Sequence, residues 1–379
     1  MMAEPKIKVG VLFSQSGPMA VTEEALLRGT LLAIEEINAA GGIEGMQIDP
    51  IVLDPAGHDQ RYAELATELL LKHNVNVIFG CCLSASRKRV LPVVERFNGI
   101  LFYPSVYEGF EYSPNVIYGG AVPNQLVLPL MQHIYAEQGR KIALIGTDTL
   151  YAREINRIVS EFAAESDTEI VSEIYLPFGT GQQEMAAKLR ETASKGPDAI
   201  LSTVVGGDSV TLYTCYADLD QKDRKAPIAS LTTTEAELAK VTENARAGHL
   251  TVAPYFSSTQ TDANRQFLKI FRARFGEDAS PSVYSETTYS LVHFFADAAR
   301  VAGQTDSASL LSALSGAVFK APGGDLSIDL DTNHFTLRPQ VGRSTAEGQY
   351  DIVWSSPQSI RPDPYLVAYD RSIGELASA

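Results

Sequence analysis

The chain predicts an α/β protein built from two doubly wound, parallel-sheet lobes. Two observations carry that expectation. Short apolar runs alternate with helix-length amphipathic stretches along most of the sequence, the pattern of βαβ units around a parallel sheet. At 379 residues, the chain is also too long for one ordinary core.

The first series opens with the buried-strand pattern Ile7–Phe13 and a helix over Thr22–Ala39 that stops at Gly41 and Gly42. It continues with a strand over Met46–Leu53, a helix over Asp59–His73, a strand over Val75–Phe79 and a helix over Ser86–Phe97, kinked at Pro92. The strand Ile100–Tyr103 completes it. The second series runs from the helix Pro123–Gln138 through Lys141–Ile145, Ala152–Ala164, Glu169–Leu176, Met185–Ser194, Ala199–Val205 and Ser209–Leu219 to the strand Ile228–Leu231. Leu250–Ser257 reads as extended, Thr261–Phe275 and Ser282–Ala302 as helices, and Gly324–Tyr369 as a β-rich tail. That tail is too short for a domain, so it is expected to return and complete an earlier lobe.

Composition narrows the function. A formal net charge of −15 argues against direct nucleic-acid binding, which needs clustered Lys and Arg. Cys81, Cys82 and Cys215 make neither a disulfide framework nor zinc-site spacing. The adjacent Cys81 and Cys82 read as small buried residues at a strand end, a vicinal disulfide being the alternative. The six histidines are scattered, and no phosphate loop, zinc-protease motif or nucleophile elbow is present. No catalytic residue, metal or cofactor is expected. No segment is long enough to span a membrane, and no leader pattern precedes Ile7, so the chain as given reads as cytoplasmic.

What chemistry there is lies at strand ends. Ser14 and Ser16, Ser84 and Ser86, Ser105, Thr147 to Tyr151 and Thr232 all follow predicted strands. In open α/β sheets ligands bind beyond the carboxyl ends of the strands. Each hydroxyl read singly is a helix cap; several in one crevice suggest a binding cleft. Between Ile100 and Asn115, five of sixteen residues are Phe or Tyr, against 8% aromatic overall, which suggests a pocket wall. Glu23/Glu24 and Glu35/Glu36 read as solvated helix surface. Glu235 and Glu237 read as the acidic first turn of a helix beneath a Thr cap.

Several long segments are familiar: VLPVVER (Val90–Arg96), YPSVYEGFEYSPNVIYGGAVPNQ (Tyr103–Gln125), STVVG (Ser202–Gly206), PIASLTTTEAELAK (Pro227–Lys240), VAPYFSS (Val252–Ser258) and SPQSIRPDPYLV (Ser356–Val367). With the lobe order, they resemble the type I periplasmic-binding-protein family of branched-chain amino-acid and urea receptors. Within it they look most like the amide-binding negative regulators of aliphatic amidase operons, the AmiC type. The resemblance implies two lobes joined by three crossovers, with residues 1–121 and 255–323 in the N-terminal lobe, 122–254 and 324–379 in the C-terminal lobe, and a ligand cleft between them. It implies a sensor that binds a short aliphatic amide or urea-like ligand and controls an RNA-binding antitermination partner.

Carried over, the ligand-binding set is Cys82, Ser84, Tyr103, Ser105, Thr149, Tyr151, Val205 and Thr232. Ser84 and nearby amides would hold the amide oxygen, Thr232 or a backbone carbonyl would accept from the nitrogen, and Tyr103 would pack on the alkyl group. The regulators carry Tyr, Thr and Tyr where Cys82, Ser105 and Thr149 stand, so the pocket here is expected to be larger and its inducer different. The runner-up is the solute-binding receptor of an ABC importer for urea, short amides or amino acids, with Glu235 as the carboxylate for an ammonium. A third reading, an amide-cleaving enzyme with Cys82 or Ser84 as nucleophile, lacks an evident base. Oligomeric state is left open, a homo-oligomer included.

Overall fold

A computed structural model describes residues 6–368; Tyr369, the last residue of the expected β-rich tail, lies outside them. The chain first lays down β1 (Lys6–Leu12), α1 (Ala20–Ala39), β2 (Gln47–Leu53), α2 (Asp59–Leu71), β3 (Val77–Gly80), α3 (Ser84–Arg96), β4 (Ile100–Tyr103) and β5 (Val116–Tyr118). There follow α4 (Pro123–Glu137), β6 (Lys141–Thr147), α5 (Leu150–Glu165), β7 (Glu169–Leu176), α6 (Gln182–Ala193), β8 (Ala199–Thr203), α7 (Gly207–Ala217), β9 (Ile228–Ser230), α8 (Glu235–Leu238), α9 (Glu243–Arg246) and β10 (Leu250–Ala253). The remainder is α10 (Asp262–Phe275), α11 (Val283–Ala302), α12 (Ser307–Leu314), β11 (Val318–Ala321), β12 (Gly324–Asp329), β13 (His334–Thr336), β14 (Gln340–Ser344) and β15 (Tyr350–Ser355).

These elements form two compact units. The first takes the chain up to Tyr107, then Glu111–Ala121 and Gln260–Leu337; the second takes Glu108–Phe110, Val122–Thr259 and the chain from Arg338. Among the described residues each unit has one sheet. The first runs β11-β12-β13-β5-β4-β3-β1-β2 and the second β15-β14-β10-β9-β8-β6-β7. Within both lies the same parallel block, numbered 2-1-3-4-5 by order of entry into its sheet; at one edge β13 joins the first in parallel with β12 and β11 following antiparallel, and β14 and β15 extend the second antiparallel. In this order the connections reverse direction between the first and third strands, the topological switch point of a doubly wound sheet.

The central strands are apolar throughout because helices cover parallel sheets on both faces. In the first unit β3, β4 and β5 are buried at every residue, and Phe79, Phe102 and Phe295 pack with ring centroids 5.0–6.3 Å apart. Helix α11 lies against α1 so closely that a Cβ at Gly29 would sit 2.0 Å from the Ser285 carbonyl oxygen. Ser285 and Thr288 donate their hydroxyls to the Ala25 and Leu26 carbonyls, each at 2.9 Å.

The tail divides differently from the expectation. Strands β12 and β13 extend the first sheet, where His334 pairs with Tyr118, and only β14 and β15 join the second. The chain therefore leaves the first unit near Leu337, not near residue 324.

Candidate functional site

In the first unit the predicted positions gather at the carboxyl ends of β3 and β4, beside the switch point. Gly80 runs tight against Leu12, where a Cβ would meet the Leu12 oxygen at 2.9 Å. Cys81 then adopts a left-handed conformation (φ 69°). Both Cys81 and Cys82 are buried free thiols, so the vicinal disulfide is absent, and burial pushes the Cys81 thiol well up. The turn aims the Cys82 carbonyl at the Tyr103 hydroxyl, which donates to it at 2.7 Å. Leu83 precedes α3 and offers no side-chain cap, so the positive end of this 13-residue helix's dipole has no capping hydroxyl or carboxylate at that position. Ser84 starts the helix two residues earlier than predicted.

Tyr103 is fully buried, which reassigns the aromatic run. Its ring, with that of Tyr107, brackets the guanidinium of Arg87, whose Cζ lies 4.8 and 4.2 Å from the two centroids. Arg87 is itself 0% exposed and donates to Glu111 from Nε at 2.7 Å and Nη2 at 3.4 Å, and to Ser84 Oγ from Nη1 at 3.4 Å. Glu111 also accepts from Lys88 (3.1 Å) and the Tyr118 hydroxyl (3.1 Å). Burial alone would raise this carboxyl, but Arg87 and Lys88 outweigh it and hold Glu111 below the usual carboxylate range. Tyr118 stacks on His334 at 4.2 Å, and the Tyr107 hydroxyl meets His334 Nε2 at 2.6 Å. Burial pushes His334 down to about 4, so the ring is neutral at pH 7. Two of the five aromatics expected to line a pocket wall, Tyr103 and Tyr107, thus bracket a buried ion pair, while Phe102 packs in the core and Phe110 and Tyr112 are exposed.

Ser105 follows β4. Its Oγ is buried and makes no hydrogen bond, a condition that costs on the order of 1–3 kcal/mol when a polar group has no other partner. The Ser105 carbonyl meanwhile lies against Gly120, where a Cβ would come within 1.9 Å.

Close by, at the end of β1, Glu23 overturns its surface reading. It is 2% exposed, accepting from the Ser14 amide at 2.6 Å and from the Tyr62 hydroxyl at 2.6 Å. Ser14 Oγ completes the cluster, 2.8 Å from Tyr62 and accepting from the Gly57 amide at 2.9 Å. Burial pushes Glu23 up to about 7. Its neighbour Glu24 is exposed beside Arg28, and Glu35 is exposed beside Arg274, as the surface reading has it. Glu36 is half-buried and pairs with Tyr289 and His293.

In the second unit the equivalent ends of β6, β8 and β9 carry Thr149, Tyr151, Val205 and Thr232. Thr149 caps α5, its Oγ1 accepting from the Ala152 amide at 3.1 Å. Tyr151, two residues on, is buried, and burial with nearby Glu108 raises its hydroxyl well above the ordinary value. The Val205 amide donates to Thr147 Oγ1 at 3.2 Å, and Thr232 Oγ1 donates to the Val204 carbonyl at 3.0 Å. Three strand ends are thereby tied together through neutral hydroxyls and backbone. Past them, Thr234 and Glu237 form the expected capping box. Glu235 is buried rather than solvated; it accepts from the Ser257 amide at 2.8 Å, and burial pushes it up to about 7.

Sequence reasoning missed Arg87, Tyr107, Glu111 and Tyr118 as the support of the first group. The alternation of acid and aromatic in YEGFEY is the one trace of them. Among the described residues no cluster of His, Cys, Asp and Glu could hold a metal ion, and no helix is long and apolar enough to cross a membrane.

Comparison with known proteins places this two-unit α/β fold in a family. The model of the periplasmic binding protein domain matches residues 7–371, and the chain belongs to that family. It is 23% identical over 341 residues to Leu/Ile/Val-binding protein homolog 6 of Brucella suis, 87% of this chain and 85% of that protein. A 120-residue stretch is 32% identical to a protein named limonene hydroxylase from Geobacillus stearothermophilus, covering 22% of it. The chain spans about half the length, or less, of several curated relatives it matches.

The same fold occurs in a solute-binding protein of an R. palustris ABC transporter in complex with benzoate (TM-score 0.84, 20% identity, 95% of this chain and 98% of that one). It occurs too in a branched-chain amino-acid substrate-binding protein of Streptococcus pneumoniae in complex with isoleucine (TM-score 0.80, 21% identity, 94% and 100%). The family and these structural neighbours are binding proteins, not enzymes.

Proposed function

We propose that this chain is a solute-binding receptor of the ABC-importer type, taking a small organic ligand that presents an oxygen acceptor. The observation that carries the reading is the pairing of the uncapped N-terminus of α3 with the buried, unpartnered Ser105 Oγ at adjacent strand ends. Helix amides favour an anionic or carbonyl oxygen, and a hydroxyl beside them can donate or accept. The positions proposed to meet ligand are Cys82, Ser84, Tyr103 and Ser105 in the first unit and Thr149, Tyr151, Val205 and Thr232 in the second, each group taken by itself. Tyr103 contributes through the backbone turn it anchors, since its ring is enclosed. Thr232 donates to Val204 and keeps lone pairs to accept from a ligand N–H. Relatives that bind benzoate and isoleucine support a carboxylate ligand; the segments shared with amide-binding regulators support a neutral amide or urea. The regulator reading, with a cytoplasmic chain and an antitermination partner, rests on those segments alone and takes second place.

A calorimetric titration with benzoate, isoleucine, acetamide, butyramide and urea tests this. Saturable binding of a carboxylate, weakened about tenfold or more by Ser84→Ala, is expected. Binding of acetamide or butyramide alone would return the regulator reading to first place, and no saturable binding by any of the five would overturn both.

A further inference from the structure

A cavity of about 440 Å³ opens in the second unit at the opposite ends of the strands from Thr149, Val205 and Thr232. Pro227 leads into β9 there, Gly248 and His249 lead into β10, and Arg343 stands on β14 opposite Leu250. Its lining includes three cations, Arg224, Lys225 and Arg343, with the side-chain amides of Gln138, Gln221 and Asn244, and no carboxylate. Among the described residues none of the three cations forms an ion pair. Asp351, in register with Arg343 across the β14–β15 ladder, makes none with it. The floor is rigid: the Tyr216 hydroxyl donates to the Ala226 carbonyl, and His249 accepts the Ile228 amide at 3.1 Å through Nδ1 while Tyr213 and Tyr216 pack edge-on against its ring. Burial takes His249 down to about 4, so it adds no charge at pH 7.

We propose that this cavity is a second binding site, separate from the one at the carboxyl strand ends, and that it takes a small organic polyanion such as a polycarboxylate or a phosphate ester. Three unneutralised cations in one concavity create a local positive potential on a chain whose net charge is −15. The volume falls within the range of small-molecule sites, about 300–1,000 Å³, and exceeds what a monatomic anion would fill. Arginine forks favour carboxylate and phosphate oxygens, and the three amides supply neutral donors around them. The proposal does not depend on the ligand of the other site.

The test is titration calorimetry of the whole chain with citrate and with glucose 6-phosphate, each against sodium chloride of matched ionic strength. Saturable binding of at least one is expected, weakened tenfold or more by Arg343→Gln and by Lys225→Gln, and unchanged by Ser84→Ala. Citrate alone would identify a carboxylate ligand and glucose 6-phosphate alone a phosphate ester. Absence of saturable heat with both, or equal affinity in the exposed Lys225→Gln variant and the parent, would overturn the proposal.

Discussion

The two units carry the same parallel sheet order yet support their strand-end residues by opposite means. The first encloses a full ion pair: Arg87, 0% exposed, bonded to Glu111 and bracketed by Tyr103 and Tyr107. In the second, neutral hydroxyls, Thr147, Thr203, Ser230 and Thr232, tie the ends of β6, β8 and β9, each bonded to nearby backbone or to another side chain. A buried ion pair is costly to desolvate and stands only while both partners are present. A neutral hydrogen bond contributes about 1 kcal/mol and its loss is local. One architecture therefore tolerates two supports of very different fragility.

The largest effect is expected from breaking the first support. Glu111→Ala should lower the stability of the chain in urea by about 3–5 kcal/mol, because it strands Arg87 in the interior. Arg87→Met combined with Glu111→Leu should cost much less, since neither charge then remains. Thr232→Val in the second unit should cost about 1 kcal/mol. Similar losses for Glu111→Ala and Thr232→Val would erase the distinction.

An intermediate effect concerns acidity. Glu23 has its folded-state pKa raised to about 7 from 4.5, so its contribution is fully present below about pH 4.5 and is lost as pH rises through about 7. Glu235 in the second unit titrates in the same sense. In unfolding curves from pH 4 to pH 8, Glu23→Gln should remove part of the decline in stability seen in the parent over that window. A parallel decline in the two proteins would place the titration elsewhere. The smallest effect on stability is expected at Ser105→Ala, within about 0.5 kcal/mol or slightly stabilising, because Oγ has no partner to lose. The same variant should bind the ligand of the strand-end site less tightly, and a marked fall in melting temperature would contradict the unpaired hydroxyl.

The parts of this structure that were legible in the chain are those set by periodicity. Buried parallel strands must be continuous apolar runs, so β1, β3, β4, β6 and β8 stand out, and a strand that ends in Ser or Thr announces a loop at the sheet's carboxyl edge. Hence the hydroxyls after the strands, Ser84, Ser105 and Thr232 among them, could be read from the pattern, whereas Cys82, Tyr103 and Val205 were singled out only through the family resemblance; the Thr234–Glu237 capping box could be read from its spacing. Charged residues were the failure. Glu23 lies in the first turn of α1 and Arg87 in the first turn of α3, and helical charges normally face water. Only the three-dimensional fold brings Tyr62 to the one, 39 residues away, and Glu111 to the other, 24 residues away. The short strands β12 and β13, part-exposed and lacking a strong apolar run, carried no mark of which sheet they would join.

The contact of α1 with α11 has a consequence for the order in which this protein is made. Gly29 and the Ala25 and Leu26 carbonyls meet Ser285 and Thr288, so the first unit lacks one of its principal helices until Ala302 has been synthesised. The second unit waits longer still, since β14 and β15 add to its sheet last. Although domains generally fold as they emerge from the ribosome, amino-terminal first, neither half of this protein can finish before the other is nearly complete. Its early segments must pass much of their time on the ribosome with the apolar face of α1 uncovered, which makes the nascent chain the stage most exposed to proteases and chaperones.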